Sequence, residues 1–432
     1  MTTFAPRKIV HIEISEGIPS LSSDGEYPVL YVVFWWYGIP LGHQEIWENE
    51  LPMSRDQLAE NALKTIAPTI EAHLLEQGIP LPEVFPVTNS GLNALMAWEP
   101  FLVKLREQLS APASETVSVV ICTRDRPEHL VRCLRSLQQL SQLPDEILVV
   151  DNAPSSDATK QLVAQIPGIR YVLEPRPGLS AARNTGIRHC TGEIIAFTDD
   201  DLTLHTDWIA RLRQSFSDPK VMVVTGLVLA AELKTQSQFI FEKYWSFNRG
   251  YRVLTFDNDY FEKYKLLGVP AWRIGAGANM AFRRKAIELV GDFDERLGAG
   301  TSGCSEDSEF WYRVLAEGWT CRYEPTAVAY HCHRREMDSL RRQIFYYMRG
   351  HVTELLIRFE RYKHWGNLVR IALLLPYFTN LFLFGFLKGR LRYSTLLEEV
   401  LGCFSGAKFY FKSKLAANSR SFLNNSKSPE SV

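Results

Sequence analysis

The sequence predicts an α/β protein built on a parallel sheet with helical crossovers. From Val117 onward, short apolar runs alternate with amphipathic stretches. The runs are SVVIC from 118, EILVVDN from 146, IRYVLE from 169, EIIAFTDDD from 193 and VMVVTG from 221. Between the first two, Leu130, Leu134, Leu137 and Leu140 recur every three or four residues, which is one face of a helix. Ser155 to Gln165 and Gly178 to Cys190 fill the next two gaps. Strand, helix, strand, helix is the pattern of a parallel sheet.

Length and composition set the frame. A chain of 432 residues exceeds one ordinary core, so two domains or three pieces are expected. Hydrophobic residues make up 46% and charged residues 22%, a globular balance. A formal net charge of −1 gives no basic field to attract nucleic acid. The aromatic share of 12% serves a large core as readily as a sugar site. The seven Cys, at 122, 133, 190, 304, 321, 332 and 403, form no CxxC pair. Reduced thiols in the cytosol are expected. Met1 to Pro19 has no long apolar run, so no secretory signal is expected.

Taken in order, residues 1–113 read as an α+β extension of unknown role. YPVLYVVFWWYGIPLGHQEI reads as a hairpin or short sheet broken at Gly38-Ile39-Pro40. Arg55 to Gln77 reads as a helix, with Leu58, Leu63, Ile66, Ile70 and Leu74 at near-helical spacing. Pro68 is expected to kink or split it, and Gly78 and Pro80 mark its end. A linker closes at Ser110 to Ser114, and no chemistry is visible before it. Residues 114–345 hold the alternating pattern. Residues 346–415 read as a C-terminal helical segment with an apolar stretch, Ile371 to Leu387. Arg370 precedes that stretch, and Lys388, Arg390 and Arg392 follow it. Its 17 residues are at the short limit for a span, and Pro376, Thr379 and Asn380 interrupt it. An interfacial or re-entrant helix, a membrane span and a buried core helix all remain open. Residues 416–432, rich in Ser, Asn and Lys, are expected to be disordered.

Parallel sheets bind ligands at the carboxyl ends of their strands, so Thr123, Asp151 and the Asp199 cluster are the first suspects. Asp199, Asp200 and Asp201 close an apolar strand and repel one another. A divalent cation is the simplest counter-charge, and capping of a helix near 206–216 is the competing reading. Ser305-Glu306-Asp307 lies in LGAGTSGCSEDSEF, just before a helix carrying Phe310, Val314 and Leu315. A carboxylate there can cap the helix or take a proton from an attacking hydroxyl. In Tyr330-His331-Cys332-His333-Arg334-Arg335, alternate residues share a face, so the two imidazoles can approach one ion while Cys332 points away. Plain surface histidines are the alternative. Arg124, Arg126, Arg176 and Arg183 fall near the same sheet edge and can pair with phosphates or a nucleobase, or stay solvated. No GxGxxG follows the first strand and no GxxxxGK[ST] occurs, which argues against a dinucleotide-binding Rossmann site and a P-loop.

From Val117 to about Gln343 the chain resembles the family 2 glycosyltransferases. The matching pieces are SVVICTRDRPEHLVRCLRSL, EILVVDN, GLSAARNTGI, GEIIAFTDDD, GAGANMAFRR with GDFDE, SEDSEFWYRVLAEGW and YHCHR, in the family's order. The resemblance implies the GT-A fold: a mixed, mainly parallel sheet flanked by helices. It implies an enzyme that moves a sugar from a nucleotide diphosphate to a hydroxyl with inversion. Thr123 and Asp151 then look like nucleobase and ribose contacts, with Arg124, Arg183 and Asp200 further donor contacts. Asp199 and Asp201 look like the DxD motif, holding Mn2+ or Mg2+ against the donor diphosphate. Asp307 matches the catalytic base, with Glu306 its partner, and His331 a metal or diphosphate contact. UDP is the favoured nucleotide, with dTDP and GDP possible. The acceptor is expected to be a glycan or a lipid-linked sugar, used at the inner face of the cell membrane. QxxRW, typical of processive members, is missing, and the nearest text is Arg341-Arg342-Gln343. Transfer of one or a few sugars is therefore expected. A nucleotidyltransferase would want a glycine-rich loop after the first strand, and TRDRPEHL has no glycine. A binding protein that has lost catalysis would not require Asp199, Asp201 and Asp307 together.

Overall fold

The computed structural model describes residues 4–81, 91–110, 114–384 and 390–425. Three strands open the chain: β1 (Arg7–Glu13), β2 (Val29–Trp36) and β3 (Ile39–Trp47). β1 runs parallel to β2, and β2 antiparallel to β3. Tyr37 and Gly38 join the last two with φ of 53° and 70°, the left-handed pair that a two-residue hairpin requires. Every residue of β2 is buried. Its alternation sends Leu30, Val32, Phe34 and Trp36 to one face, where they pack in a core with α1 (Arg55–Glu76), α2 (Leu92–Met96) and α3 (Glu99–Leu109). Tyr31, Val33 and Trp35 face the other way and join the core of the main sheet. The extension thus has one core of its own and shares another. α1 is a single helix through Pro68, where the sequence predicts a kink. Its buried face, from Leu58 to Leu74, holds it against the sheet, and such packing outweighs local propensity.

The main sheet contains β4 (Val117–Thr123), β5 (Glu146–Asn152), β6 (Ile169–Glu174), β7 (Ile194–Asp199), β8 (Leu202–Leu204), β9 (Val221–Ala230), β10 (Leu254–Phe256), β11 (Asn279–Arg283) and β12 (Thr320–His331). Its order is β10-β12-β9-β11-β7-β4-β5-β6, with β8 paired to β12. β6, β5, β4 and β7 are mutually parallel, β11 runs against β7 and β9, and β12 is parallel to β9. The sheet is mixed and mainly parallel. Helices α4 (Pro127–Gln138), α5 (Ala158–Ala164), α6 (Leu179–His189) and α7 (Trp208–Ser215) connect the early strands. α8 (Gln236–Trp245), α9 (Asn258–Tyr264), α10 (Arg284–Val290) and α11 (Glu306–Ala316) follow among the later ones. The chain steps outward from β4 through β5 to β6, then returns to β7 on the other side of β4. That reversal opens a crevice between the carboxyl ends of β4 and β7, where Cys122 lies opposite Asp199.

Three helices end the described chain: α12 (Met337–Tyr362), α13 (Gly366–Phe384) and α14 (Leu396–Asn425). Gly402 and Gly406 let α14 press on α12, since a Cβ at either would overlap the carbonyl of Phe345 or Arg349. α14 continues to Asn425, into the segment from 416 expected to be disordered. Residues 426–432 lie outside the described residues. α13 runs unbroken through Pro376 and buries only Gly366, Asn367 and Leu381. It is therefore no core helix. By length and composition it can cross a membrane. Residues 385–387 of the apolar stretch lie outside the described residues.

Gly226 in β9 tests this packing. A Cβ there would overlap the Ala327 carbonyl of β12 and crowd the Asn279 side-chain amide. Gly226→Ala should destabilise the fold by about 1–3 kcal/mol, read as a lowered denaturation midpoint. An unchanged midpoint would contradict the close approach.

Candidate active site

Five elements bring their ends to one cavity of about 1190 Å³. β4 ends in Thr123, β7 in Asp199 and β12 in His331, while α11 begins with Glu306 and Asp307. α6 contributes Arg183, whose guanidinium is 2% exposed. Its Nη1 donates to Glu306 Oε1 at 2.7 Å and its Nη2 to the Gly277 carbonyl at 3.3 Å. Asp199 Oδ1 lies 3.7 Å from the same Nη2. Burial pushes the Glu306 carboxyl up to about 7, against the pull of Arg183, and nearby Asp307 pushes the same way. Asp199 also rises to about 7, by desolvation and by repulsion from Asp201 and Asp200, again against Arg183. Its side chain is still 39% exposed, so the group faces the cavity and is not sealed in the core.

The other two carboxylates of the cluster are tied to the loop after β4. Asp200 accepts from Thr123 Oγ1 and from Arg126 Nη1, both at 2.7 Å. Asp201 accepts from Arg126 Nη2 at 3.1 Å. Burial would raise Asp201, but His331, Arg126 and Arg334 together hold it below the usual carboxylate range. The counter-charge that the sequence suggests as a cation is thus supplied in part by Arg126 and Arg183. The cluster does not cap α7, whose N-cap is Asp207. Among the described residues, no group of three or more His, Cys, Asp or Glu side chains is placed to hold a metal ion.

The two histidines do not both face one ion. His331 Nδ1 lies 2.8 Å from His333 Nδ1, and His333 Nε2 lies 3.0 Å from Glu242 Oε2. Burial pushes His331 down to about 4, so its ring is neutral at physiological pH. In the tautomer in which His333 Nε2–H donates to Glu242 and His331 Nδ1–H donates to His333, the His331 Nε2 lone pair is free, 3.6 Å from Asp201 Oδ1. Cys332 points elsewhere, toward Glu232.

Asp307 is held by the backbone. Its Oδ2 accepts from the Gly277 N–H at 2.7 Å and its Oδ1 from the Ser308 N–H at 2.6 Å. Gly277 must be glycine, because a Cβ there would sit 2.7 Å from Asp307 Oδ2. Ser305, at φ 73°, turns the chain into α11 and makes no side-chain cap.

The structure therefore gathers Thr123, Arg124, Arg183, Asp199, Asp200, Asp201, Glu306, Asp307 and His331 around one cavity. Arg124 stands half exposed at its mouth. Asp151 does not line it: Tyr171 donates to Oδ2 at 3.0 Å, while Oδ1 is buried without a partner and burial raises the carboxyl. Arg176 is engaged outside, by Glu174 and Glu295. Sequence reasoning gave no role to Gly277 or Glu242. It also passed over the cavity residues Arg249 and Trp272, which sit in no motif, and read Arg370 only as a flank of the apolar stretch.

Residues 118–291 match the model of the family described as Glycosyl transferase family 2. The pre-mycofactocin glycosyltransferase of Mycobacterium tuberculosis is 28% identical over 240 residues, 55% of this chain and 47% of that protein. The succinoglycan biosynthesis protein ExoM of Rhizobium meliloti is 29% identical over 228 residues, 49% of this chain and 65% of that protein. The chain thus spans about half the length of the first of these relatives. Among solved structures, mannosyltransferase PcManGT from Pyrobaculum calidifontis, in complex with GDP-Man and Mn2+, is 16% identical. The match covers 79% of this chain and 98% of that one, with a TM-score of 0.47.

The raised Glu306 carboxyl has a measurable consequence. A group that binds its proton more tightly when folded stabilises fully below its ordinary value of 4.5, and that contribution is lost as pH rises through about 7. Glu306→Gln removes the titration. Its stability relative to the unsubstituted protein should climb between pH 4.5 and about 7. Parallel unfolding curves across that window would refute the burial of this charge.

Proposed function

We propose, from the premise that residues 118–291 are a family 2 glycosyltransferase domain, that the chain transfers a sugar from a nucleotide diphosphate to an acceptor hydroxyl with inversion. The carrying observation is one cavity that holds Asp199, Asp201 and the His331 lone pair together with a backbone-clamped Asp307. The products are those of polysaccharide or glycoconjugate synthesis, made at the inner face of the membrane. UDP is the favoured nucleotide.

The donor nucleoside lies along Thr123 and Arg124, with the bare Oδ1 of Asp151 behind that wall. Asp201 and His331, 3.6 Å apart, and Asp199 in the same cavity are of the ligand types that suit Mn2+ or Mg2+, and with no group of three placed for a metal among the described residues, substrate oxygens would have to complete the set. When bound there, the ion offsets charge on the departing diphosphate. The acceptor oxygen attacks the anomeric carbon from the face opposite the diphosphate. The bond from that carbon to the phosphate oxygen breaks, its electron pair leaves with the nucleoside diphosphate, and the hydroxyl proton passes to Asp307. The Gly277 and Ser308 N–H groups hold both oxygens of Asp307 so that it receives that proton without reorienting. Arg183 and Glu306 fix the start of α11 and with it the position of the base.

Nucleotide sugars are screened for binding and slow hydrolysis with Mn2+, Mg2+ or EDTA. Asp201→Ala should lose metal-dependent donor binding. Asp307→Ala should still bind donor but turn it over about 10²–10⁴-fold more slowly. A wild-type rate in Asp307→Ala would sink the base assignment. A native chain that binds a nucleotide sugar but turns over none would favour the non-catalytic binding protein.

A further inference from the structure

The His331 ring reaches the cavity, but its other nitrogen is engaged from behind by residues of no sequence motif. His331 and His333 stand Nδ1 to Nδ1 at 2.8 Å. His333 Nε2 faces Oε2 of Glu242, on α8, at 3.0 Å. The other oxygen of Glu242 accepts from Ser246 Oγ at 2.9 Å. The His333 side chain is 2% exposed, so bulk water cannot take over either of its contacts. α8 is stitched to this segment at its start. Gln238 Nε2 donates to the His333 carbonyl at 3.3 Å, and Ser237 Oγ to the Arg334 carbonyl at 2.7 Å. Thr235 and Gln238 close the helix start as a capping box. Phe241 lies against the His333 ring, 4.5 Å between centroids, and Phe247 meets the His331 ring at 5.6 Å. Both imidazoles are held in place by packing as well as by hydrogen bonds.

Hydrogen-bond chemistry gives this chain of contacts a direction. A carboxylate offers only lone pairs, so His333 Nε2 supplies the proton shared with Glu242. A neutral imidazole has one N–H, which leaves the His333 Nδ1 as an acceptor. His331 Nδ1 then donates, and its Nε2 keeps a bare lone pair. That nitrogen lies 3.6 Å from Asp201 Oδ1, with Asp199 in the same cavity. The opposite order would point an Nε2 proton of His331 at Asp201, and a protonated nitrogen binds no metal.

Resting on the metal-dependent glycosyltransferase reading, we infer that Glu242 and His333 are positioning residues that fix His331 in the tautomer with a free Nε2, the form that can ligate a divalent ion. Neither is among the residues that line the cavity. Their effect passes entirely through which nitrogen of His331 carries the proton. A merely structural pair would tie α8 to the end of β12 equally well and be indifferent to that proton.

The test reads His331 directly. The full chain is enriched in histidine carrying the NMR-active nitrogen isotope, and the His331 signals are assigned by their loss in His331→Asn. In the metal-free native chain at neutral pH, His331 Nε2 should show the shift of a bare, pyridine-type nitrogen. A proton on that nitrogen would overturn the inference. Glu242→Gln keeps the size of the side chain, but an amide can donate as well as accept. His331 should then populate both tautomers. Mn2+ affinity, followed by the paramagnetic resonance of the free ion, should fall about 10–100-fold. Unchanged affinity would overturn the inference. A fall in affinity with the His331 tautomer unaltered would overturn it too, because that is the signature of a structural pair. If melting shows Glu242→Gln unfolded, the tautomer in the native chain decides alone. Turnover of nucleotide sugars is measured separately. A chain with the bare Nε2 and the Glu242→Gln loss that turns over no nucleotide sugar keeps the tautomer assignment and loses the transferase reading. One that turns over a nucleotide sugar with His331 Nε2 protonated loses this inference alone.

Discussion

One buried cation holds the site together. Arg183 reaches from α6 to three separate segments: the end of β7 at Asp199, the start of α11 at Glu306, and the carbonyl of Gly277 ahead of β11. Phe197 and Phe293 flank it, each about 5.5 Å away from ring centre to guanidinium carbon. Breaking such a buried pair costs about 3–5 kcal/mol, because the carboxylate left behind has neither water nor partner. The fold therefore depends on the same contact that joins the strand end carrying Asp199 to the helix start carrying Asp307. Yet Arg183 does not neutralise the cluster. Asp199 and Glu306 both remain raised to about 7 beside it, so a further positive charge still finds a favourable field there.

The architecture was legible where periodicity is long. The runs that become β4 to β7 and β9 are apolar, evenly spaced and separated by one helical gap each. β11 was harder, since NMAFR is five residues between two loops and its reversed direction follows only from pairing with β7 and β9. Double burial of β2 explains why the extension read as a separate piece: one face of the strand has its partner more than a hundred residues away. Tertiary packing likewise carried α1 through Pro68.

Site residues adjacent in sequence, such as Asp199 to Asp201, could be seen in advance as a cluster. What they touch could not. The Arg126 bridge spans 74 residues to Asp200, and the Gly277 clamp on Asp307 spans 30. Strand alternation puts His331 and His333 on one face, but only the fold reveals that they hydrogen-bond each other and that His333 reaches Glu242. The cavity arginines were the least visible, because Arg249, Arg334, Arg342 and Arg370 come from four segments with no shared spacing.

The position of the extension follows from the same geometry. The Trp35 ring stacks on His205, 5.2 Å between centroids, and His205 N–H donates to the Val328 carbonyl of β12. His205 comes directly after β8, the short strand that leaves Asp201. β2 therefore braces the segment between the acidic cluster and α7, although it contributes no residue to the cavity. α12 and α13 also line the cavity, with Arg342 and Arg370 among their residues there. Both charges line the cavity: Arg126 and Arg183 lie beside the acidic cluster, and Glu354 and Glu399 line it from α12 and α14.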